Sequence, residues 1–350
     1  MNDTPTVSVA IATCNGERFI EAQVASILAQ RLPVHELVVC DDASDDATVA
    51  IVERMVAASK VPLTLVRHSE RLGVFRNFLC AFEHCSGSHI AYCDQDDVWS
   101  VGRLEQMVPL LRRADCALAF HQSAVSNADL SVVFETAPPG LPAGAYDRPL
   151  PGGRLWGFGH QMIFRRDVAA LVRLLSALAV DPQPDFFRNF DRLLLIAAGM
   201  LGRVYFLNAP LVQFRRHANT VSDAGAARQA APRPRLEQQH DGLHAQLQSL
   251  RDWRAALEQT ANATRVDAFL VDAGAPTRVA AYVDSLRSSE RRLCGRMAVY
   301  ERTSAVAGVA ALVHSVALGN YGSVHRGRLP ARILLADAAA ALAPLRLRAS

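Results

Sequence analysis

Three carboxylates directly follow an apolar run, and their spacing could hold a metal ion. Asp94, Asp96 and Asp97 come after Ile90–Cys93. Side chains two residues apart on a strand share a face, so Asp94 and Asp96 can point the same way. Clustered carboxylates repel one another unless a cation joins them, and Mg²⁺ and Mn²⁺ take carboxylates together with substrate phosphates. The cluster therefore favours a divalent metal site, whereas Asp97 is also suited to capping the next helix.

A second acidic cluster follows an earlier apolar run, Glu36–Cys40. Its first members are Asp41 and Asp42, and an acid here can accept a hydrogen bond from a base or a ribose hydroxyl. Asp45 or Asp46, a few residues later, is better placed to cap the following helix. We therefore expect a nucleotide contact at the start of this cluster and a helix start at its end.

These clusters need a sheet to bring them together. Apolar, strand-like runs end near residues 13, 40, 66 and 93, and stretches with helical spacing of apolar residues lie between them. Such alternation predicts an α/β fold with a mainly parallel sheet that is covered on both faces. Ligands bind beyond the carboxyl ends of the strands in such sheets. Asn15, Asp42 and Asp94 all fall at these ends.

Composition limits the classes of function. The 350 residues suffice for one large domain with an appendage or for two modest domains, and the net charge of +3 does not indicate nucleic-acid binding. The chain lacks a dinucleotide-binding glycine motif after the first strand, and its single lysine, Lys60, cannot supply a P-loop. Seven cysteines without a C-x-x-C pair indicate buried reduced thiols. With no visible secretory signal, we expect a cytoplasmic protein.

Two segments predict breaks between structured regions. Residues 138–153 predict a loop, and residues 224–234 predict a domain boundary, after which the C-terminal part is predicted to be helical. Beyond it, five leucines recur at helical spacing, which indicates either a core stripe within a helical hairpin or a homodimer seam. The tail is basic among apolar residues and fits either peripheral contact with an anionic membrane surface or a docked helix. The leucines are Leu236, Leu243, Leu247, Leu250 and Leu257, and the basic residues are Arg326, Arg328, Arg332, Arg346 and Arg348.

Several blocks, in order, resemble family 2 glycosyltransferases, and most closely the bacterial branch often labelled rhamnosyltransferase-like. The match covers roughly residues 6 to 222. The blocks are Val9–Gly16, Ser26–Gln30, Asp41–Thr48, Leu72–Phe78, Asp94–Trp99, Gly159–Val168 and Pro210–Asn219. The resemblance implies a GT-A-type, Rossmann-like mixed sheet, mainly parallel and flanked by helices, over residues 1–222. A helical C-terminal region would then occupy residues 223–350.

The same resemblance implies the roles of individual residues. It places nucleotide-sugar contacts at Thr13, Asn15, Asp42, Asn77, Asp94 and Arg215. It implies that Asp96 and Asp94, with His217, hold Mn²⁺ or Mg²⁺. The metal would stabilise the charge of the departing diphosphate. Taken alone, the cluster Arg215–His217 is more typical of a solvated turn.

An inverting transfer needs a base that deprotonates the acceptor hydroxyl. The candidate is Asp191, which precedes a helix, and Asp185 is the rival. The family branch usually has His-Asp or Glu-Asp at this point, whereas Phe190 stands before Asp191 here. Either acid could instead cap a helix.

Together these features predict an inverting glycosyltransferase of surface polysaccharide synthesis, of the O-antigen or capsule type. Its donor would be a dTDP- or UDP-linked sugar, and its acceptor a lipid-linked or oligosaccharide alcohol, handled in the cytoplasm or on the inner face of the plasma membrane. The alternative is a catalytically silent subunit that binds a sugar nucleotide or serves in assembly.

Overall fold

The computed structural model describes residues 4–136, 142–147, 157–177, 190–217, 235–275, 278–300, 305–317 and 338. These residues form two compact units. The first unit contains the residues before 228 together with 264–278, and the second contains 228–263 and the residues from 279 onward. The domain boundary expected at residues 222 and 223 stays a prediction. Residues 138–141, 148–153 and 224–234, the basic tail and Asp185 lie outside the described residues. Within the loop predicted over residues 138–153, Gly144–Asp147 form a strand instead.

Strands and helices alternate through the first part of the chain, as the sequence predicts. Strands β1 to β4 pair in parallel in the order β3-β2-β1-β4. All residues of β2 and β4 are buried, which is expected of strands covered on both faces. The elements are β1 (Val7–Thr13), α1 (Ile20–Leu28), β2 (Glu36–Asp41), α2 (Thr48–Ala57), β3 (Leu63–Arg67), α3 (Val74–His84) and β4 (His89–Cys93).

The sheet continues beyond β4 with strands from later in the chain, in the order β4-β9-β6-β10-β5. Strand β9 is antiparallel to both of its neighbours, so six strands run in one direction: β1, β2, β3, β4, β6 and β10. The sheet is therefore mixed and mainly parallel, as expected. The further elements are β5 (Val98–Trp99), α4 (Arg103–Leu111), β6 (Cys116–Ser126), β7 (Val132–Thr136), β8 (Gly144–Asp147), β9 (Met162–Arg165), α5 (Arg166–Ala177), α6 (Phe190–Leu201) and β10 (Arg203–Arg215).

The core places the carboxyl ends of the long strands at one edge. Val9 and Ile11 of β1 lie in one buried cluster with Ile27 of α1 and Met107 of α4. The edge is also tied by backbone hydrogen bonds, because the N–H of Asp42 donates to the carbonyl oxygen of Thr13 at 2.8 Å. The loops after β1, β2 and β4 therefore start from fixed positions along this edge.

The second unit is helical. Helix α7 (Arg235–Glu258) packs on α9 (Val279–Tyr300), and α10 (Ala305–Ala317) follows, whereas α8 (Thr260–Asp272) contains residues of both units. The buried leucines of α7 confirm a core stripe: Leu243, Leu247, Leu250 and Leu257. Glu290 accepts hydrogen bonds from Arg251 and Arg254 at 2.7 and 3.2 Å across the helix pair. Within the described ranges, no helix combines the length and apolar character that a membrane crossing requires.

The turn between α6 and β10 requires a glycine, and this gives a test of the fold. A Cβ atom at Gly202 would lie 2.6 Å from the carbonyl oxygen of Asp115. We expect Gly202→Ala to lower the free energy of unfolding by about 1–3 kcal/mol, because backbone must move to relieve the overlap. Urea denaturation measures the change. The matched control is Gly102→Ala, where the nearest atom would be 3.6 Å away, with an expected loss below about 1 kcal/mol. Equal losses in both variants would contradict the close approach.

Candidate active site

A cavity of about 690 Å³ opens at the carboxyl edge of the sheet, and we call it the edge cavity. Eight of the nine residues predicted to bind nucleotide sugar, bind metal or act as base line it: Thr13, Asn15, Asp42, Asn77, Asp94, Asp96, Asp191 and His217. They come from loops that are far apart in sequence. The parallel strands therefore bring the predicted donor contacts, metal ligands and base into one space.

The polar side chains at the ends of β1 and β2 hold the cavity wall in place. Thr13 donates its hydroxyl proton to Asp41 at 2.9 Å. Asp42 accepts the N–H groups of Leu72 and Gly73 at 2.6 and 2.9 Å, one on each carboxylate oxygen. The Asp42 carboxylate thus fixes the segment that leads into α3. Its remaining lone pairs are available to a ligand.

Two asparagines complete this wall. Asn15 has a φ of 49°, and its side-chain oxygen accepts the N–H of Asp45 at 3.0 Å. Asn77 is buried and donates its amide to the carbonyl oxygens of Cys40 and Thr13 at 2.8 and 3.3 Å. Its Oδ1 atom is buried and has no hydrogen-bond partner in the described part of the chain. Asn77 therefore offers an unused acceptor at the cavity.

The three acids after β4 crowd one another. Burial raises the pKa of Asp96, and Asp94 adds to the effect, whereas His217 opposes it. Asp97 is fully buried, and burial raises its pKa well above the usual range, with Asp94 and Asp96 as further causes. Asp97 accepts the backbone N–H of Arg215 at 3.1 Å. The cluster therefore disfavours three simultaneous negative charges unless a cation is close.

Two histidines face these acids. His217 lies 2.8 Å from Asp96, measured from Nε2 to Oδ2. The Nδ1 atom of His160 lies 3.6 Å from Asp94 and 3.9 Å from Asp97, and its other ring nitrogen lies 2.7 Å from the hydroxyl oxygen of Ser123. One ligand atom each of Asp94, Asp97 and His160 lies within 4.8 Å of the other two. The site therefore has the nitrogen and oxygen donors that a divalent ion requires.

A buried arginine lies behind the acids. Arg103 is fully buried, its guanidinium carbon lies 3.9 Å from the centre of the Trp99 ring, and it donates to the carbonyl oxygen of His160 at 2.8 Å. Burial lowers the pKa of Arg103 to about 9, so the side chain keeps its charge at neutral pH. It thereby offsets part of the negative charge of Asp97.

Asp191 lies within the first turn of α6, after Phe190, whereas the sequence predicted it before the helix. Burial raises the pKa of Asp191 to about 7, and the charge of Asp94 adds to the rise, whereas a hydrogen bond from the backbone of Gly159 opposes it. Gly159 comes close because it has no side chain, since a Cβ atom there would lie 2.6 Å from the Tyr92 ring. A carboxylate with a pKa near neutral is suited to proton transfer.

The packing of Phe190 explains why an apolar residue stands directly before Asp191. Its ring centre lies 4.9 Å from that of Phe75 and 5.4 Å from that of Phe82, next to the stacked pair of Phe78 and Tyr92. Phe190 thus completes a buried aromatic cluster behind the base candidate. A polar side chain at this position would need a buried hydrogen-bond partner.

Comparisons with known proteins agree with this geometry. Residues 8–171 match the family model described as Glycosyl transferase family 2. They form a family 2 glycosyltransferase domain. The chain is 35% identical over 115 residues to EpsE of Bacillus subtilis (strain 168), a glycosyltransferase by name; this stretch covers 32% of this chain and 41% of EpsE.

A second relative and one solved structure support the assignment. The chain is 29% identical over 121 residues to the Escherichia coli UDP-Glc:alpha-D-GlcNAc-diphosphoundecaprenol beta-1,3-glucosyltransferase WfgD, over 35% of this chain and 47% of WfgD. The chain thus spans less than half the length of these curated relatives. It has the fold of S. aureus TarS 1-349, solved in complex with UDP-GlcNAc, with a TM-score of 0.52, 16% identity and coverage of 96% of this chain and 88% of that one. The expected GT-A-type fold is thereby confirmed, whereas the rhamnosyltransferase-like branch stays a prediction.

Arg215, at the end of β10, does not lie where it was predicted. It is buried, does not belong to the described residues that line the edge cavity, and donates to the carbonyl oxygens of Asp96 and Ala128 at 2.8 and 2.6 Å. Arg215 therefore stabilises the loop after β4 through its hydrogen bond to the backbone of Asp96. The exposed arginines Arg18 and Arg71 line the cavity instead. Sequence reasoning missed both, although each stands beside a family block.

The cap predicted for Asp97 is wrong, because Asp97 is fully buried and bonded to β10 rather than to the start of a helix. The cap predicted at Asp45 or Asp46 is displaced by one residue, because the N-cap position of α2 is Ala47, which makes no side-chain cap. Asp46 nevertheless accepts the N–H of Thr48, the first residue of α2, at 2.9 Å. Sequence reasoning also missed His160. The available signal was that His160 stands where the family usually has cysteine or alanine.

The buried charge behind the acids gives a testable prediction. We expect Arg103→Met to lower the free energy of unfolding by about 3–5 kcal/mol, because it leaves the buried acid cluster without its internal cation. Chemical denaturation at pH 7 measures the loss. The matched control is Arg112→Met, at an exposed arginine after α4, with an expected change within about 0.5 kcal/mol. A loss as small as the control's would show that Arg103 does not balance the acids.

Proposed function

We propose that this protein is a metal-dependent, inverting glycosyltransferase that moves a sugar from a nucleoside diphosphate to an acceptor hydroxyl. One observation carries the proposal: the edge cavity joins the acids after β2, the acids after β4 and the carboxylate of Asp191. The first group suits a nucleoside, the second suits a metal and a diphosphate, and the third suits a base. The family 2 domain supports the same chemistry.

A divalent ion fits the acid cluster. The raised pKa values of Asp96 and Asp97 reflect burial and mutual repulsion, which a bound cation would relieve. We assign Asp94 and Asp96 as the carboxylate ligands of Mn²⁺ or Mg²⁺, with His217 as a further ligand, because all three line the cavity. When bound, the ion would act as a Lewis acid that stabilises charge on the diphosphate. Asp97 and His160 would help to hold the Asp94 carboxylate in position for the ion.

The other walls bind the donor. Asp42 and the acceptor oxygen of Asn77 lie where a base or ribose can donate hydrogen bonds, beside Thr13 and Asn15. Arg18 and Arg71 supply positive charge for the diphosphate and take the role that the sequence assigned to Arg215. Since the loops are held by their own hydrogen bonds, little ordering is needed on binding.

Asp191 would remove the proton of the acceptor hydroxyl as that oxygen attacks the sugar carbon. Its pKa, which burial raises to about 7, makes it a stronger base than an ordinary carboxylate. The proton would pass to the carboxylate of Asp191, and the diphosphate would leave on the opposite face of the sugar. That geometry inverts the configuration at the sugar carbon.

The substrates are proposed from the chemistry of the cavity and from the similarity to named relatives. The donor is a UDP- or dTDP-linked hexose or deoxyhexose, and the acceptor is a lipid-linked or oligosaccharide alcohol of a surface polysaccharide. The diphosphoundecaprenol acceptor in the name of WfgD supports the lipid-linked form. Such an acceptor would place the reaction at the inner face of the plasma membrane.

The metal assignment can be tested without turnover. We expect Asp96→Asn to weaken UDP or dTDP binding in the presence of Mn²⁺ by at least roughly tenfold and to remove the dependence on Mn²⁺. Isothermal titration calorimetry with and without Mn²⁺ measures both effects.

The histidines provide the matched pair for this experiment. His217→Ala should weaken Mn²⁺-dependent binding more than His160→Ala does. The reverse order would move the ion to Asp94, Asp97 and His160, and Mn²⁺-independent binding by the unaltered protein would refute the metal site altogether.

The base assignment predicts a pH profile. Since Asp191 acts in its ionised form, kcat/KM should rise about tenfold per pH unit below pH 7 and level off above it. Asp191→Asn should keep nucleotide binding and lower transfer by at least roughly 10²-fold. Product formation across a panel of sugar nucleotides and acceptor alcohols gives both rates. A variant with normal transfer would exclude Asp191, and binding without turnover by the unaltered protein would favour the silent subunit.

A further inference from the structure

Three soft metal-binding groups meet outside the edge cavity. Cys40 lies on β2, His68 directly follows β3, and Cys80 lies on α3, which packs on β2. One ligand atom from each lies within 4.8 Å of the other two. The two sulfur atoms are 3.2 Å apart, and Cys40 is fully buried. The parallel pairing of β2 and β3 therefore places a histidine beside a pair of thiols.

The imidazole of His68 has one nitrogen that lacks a hydrogen-bond partner among the described residues. Its Nε2 atom is buried and has no hydrogen-bond partner among the residues described. The backbone holds the residue in place, because the N–H of His68 donates to the carbonyl oxygen of Asp41 at 2.9 Å. A buried polar atom without a partner is costly, and a ligand that takes the ring lone pair removes this cost.

We propose that Cys40, His68 and Cys80 bind one Zn²⁺ ion, with water in the fourth position. Two thiolates and one imidazole are a donor set that selects zinc over the Mg²⁺ or Mn²⁺ of an oxygen-rich site. Tetrahedral zinc with sulfur at about 2.3 Å needs the two sulfur atoms about 3.7 Å apart, so they must separate by roughly half an ångström. Each ion bound would replace two thiol protons.

The zinc would strengthen the wall that carries the donor contacts. Asn77 stands one helical turn before Cys80 and donates its amide to the carbonyl oxygen of Cys40 at 2.8 Å. Asp42 stands two residues after Cys40 and holds the start of α3 through Leu72 and Gly73. A metal that joins Cys40 to Cys80 would thus lock β2 to α3 beside the cavity. The inference does not depend on the proposed transferase activity.

Cobalt provides the test. The full-length protein is reduced, stripped of metal with a chelator, freed of both reagents without oxygen, and titrated with Co²⁺. Thiolate ligands give a sulfur-to-cobalt charge-transfer absorption that the oxygen and nitrogen ligands of the acid cluster cannot give. We expect this absorption to saturate at one Co²⁺ per chain and to disappear when Zn²⁺ is added.

Variants identify the ligands. Cys80→Ser and His68→Gln change partly exposed residues and should keep the fold, as checked by circular dichroism. Cys80→Ser should abolish the charge-transfer absorption, and His68→Gln should weaken Zn²⁺ binding at least roughly tenfold. Cys294→Ser, in the second unit, is the matched control and should change neither. Cys40→Ser is a further variant, but the measurement on the unaltered protein and Cys80→Ser suffices if it does not fold.

Three results would overturn the proposal. The first is the absence of a charge-transfer absorption in the unaltered protein with all seven thiols reduced. The second is an absorption that persists in Cys80→Ser. The third is a protein that, isolated without reductant, contains no zinc and has two fewer free thiols, which reductant restores, because the pair would then form a disulfide instead.

Discussion

The repulsion among Asp94, Asp96 and Asp97 is the interaction on which the rest of the site depends. Three carboxylates share one short loop, and burial makes their charges more costly than they would be in water. The surrounding structure supplies partial compensation from several directions. Arg103 lies behind the loop, the backbone N–H of Arg215 bonds to Asp97, and His217 bonds to Asp96. The divalent cation that we propose would complete this balance.

The walls of the cavity share a different property, because most of their polar groups already bond to the protein. Asp42 binds two backbone N–H groups, Asn77 donates to two strand ends, and Asn15 closes a turn with Asp45. Such bonds fix the loops before a ligand arrives. The site therefore combines a wall that is fixed by hydrogen bonds, which we propose binds the nucleoside, with an acidic cluster whose charge is incompletely balanced.

An aromatic cluster surrounds Phe190, the residue before the proposed base Asp191. Burial is the main cause of the raised pKa of Asp191. The departure from the family pattern at residue 190 thus keeps the carboxylate and changes only its neighbour.

The sequence alone determined the alternation of strands and helices and the helical leucine stripe. These depend on short-range periodicity, which a chain shows directly. It also brought eight of the nine predicted site residues to the cavity, because the ends of parallel strands meet at one edge. It did not show β9 inserted antiparallel between β4 and β6, since that pairing joins distant segments.

Only the tertiary structure decided which side chains face the cavity. Arg215 turned towards two backbone carbonyl groups, whereas Arg18 and Arg71 point to the space that it was expected to reach. His160, Arg103 and the group formed by Cys40, His68 and Cys80 became visible only when separate elements packed together. The physical reason is that a side chain's direction depends on partners far away along the chain, and no local pattern records them.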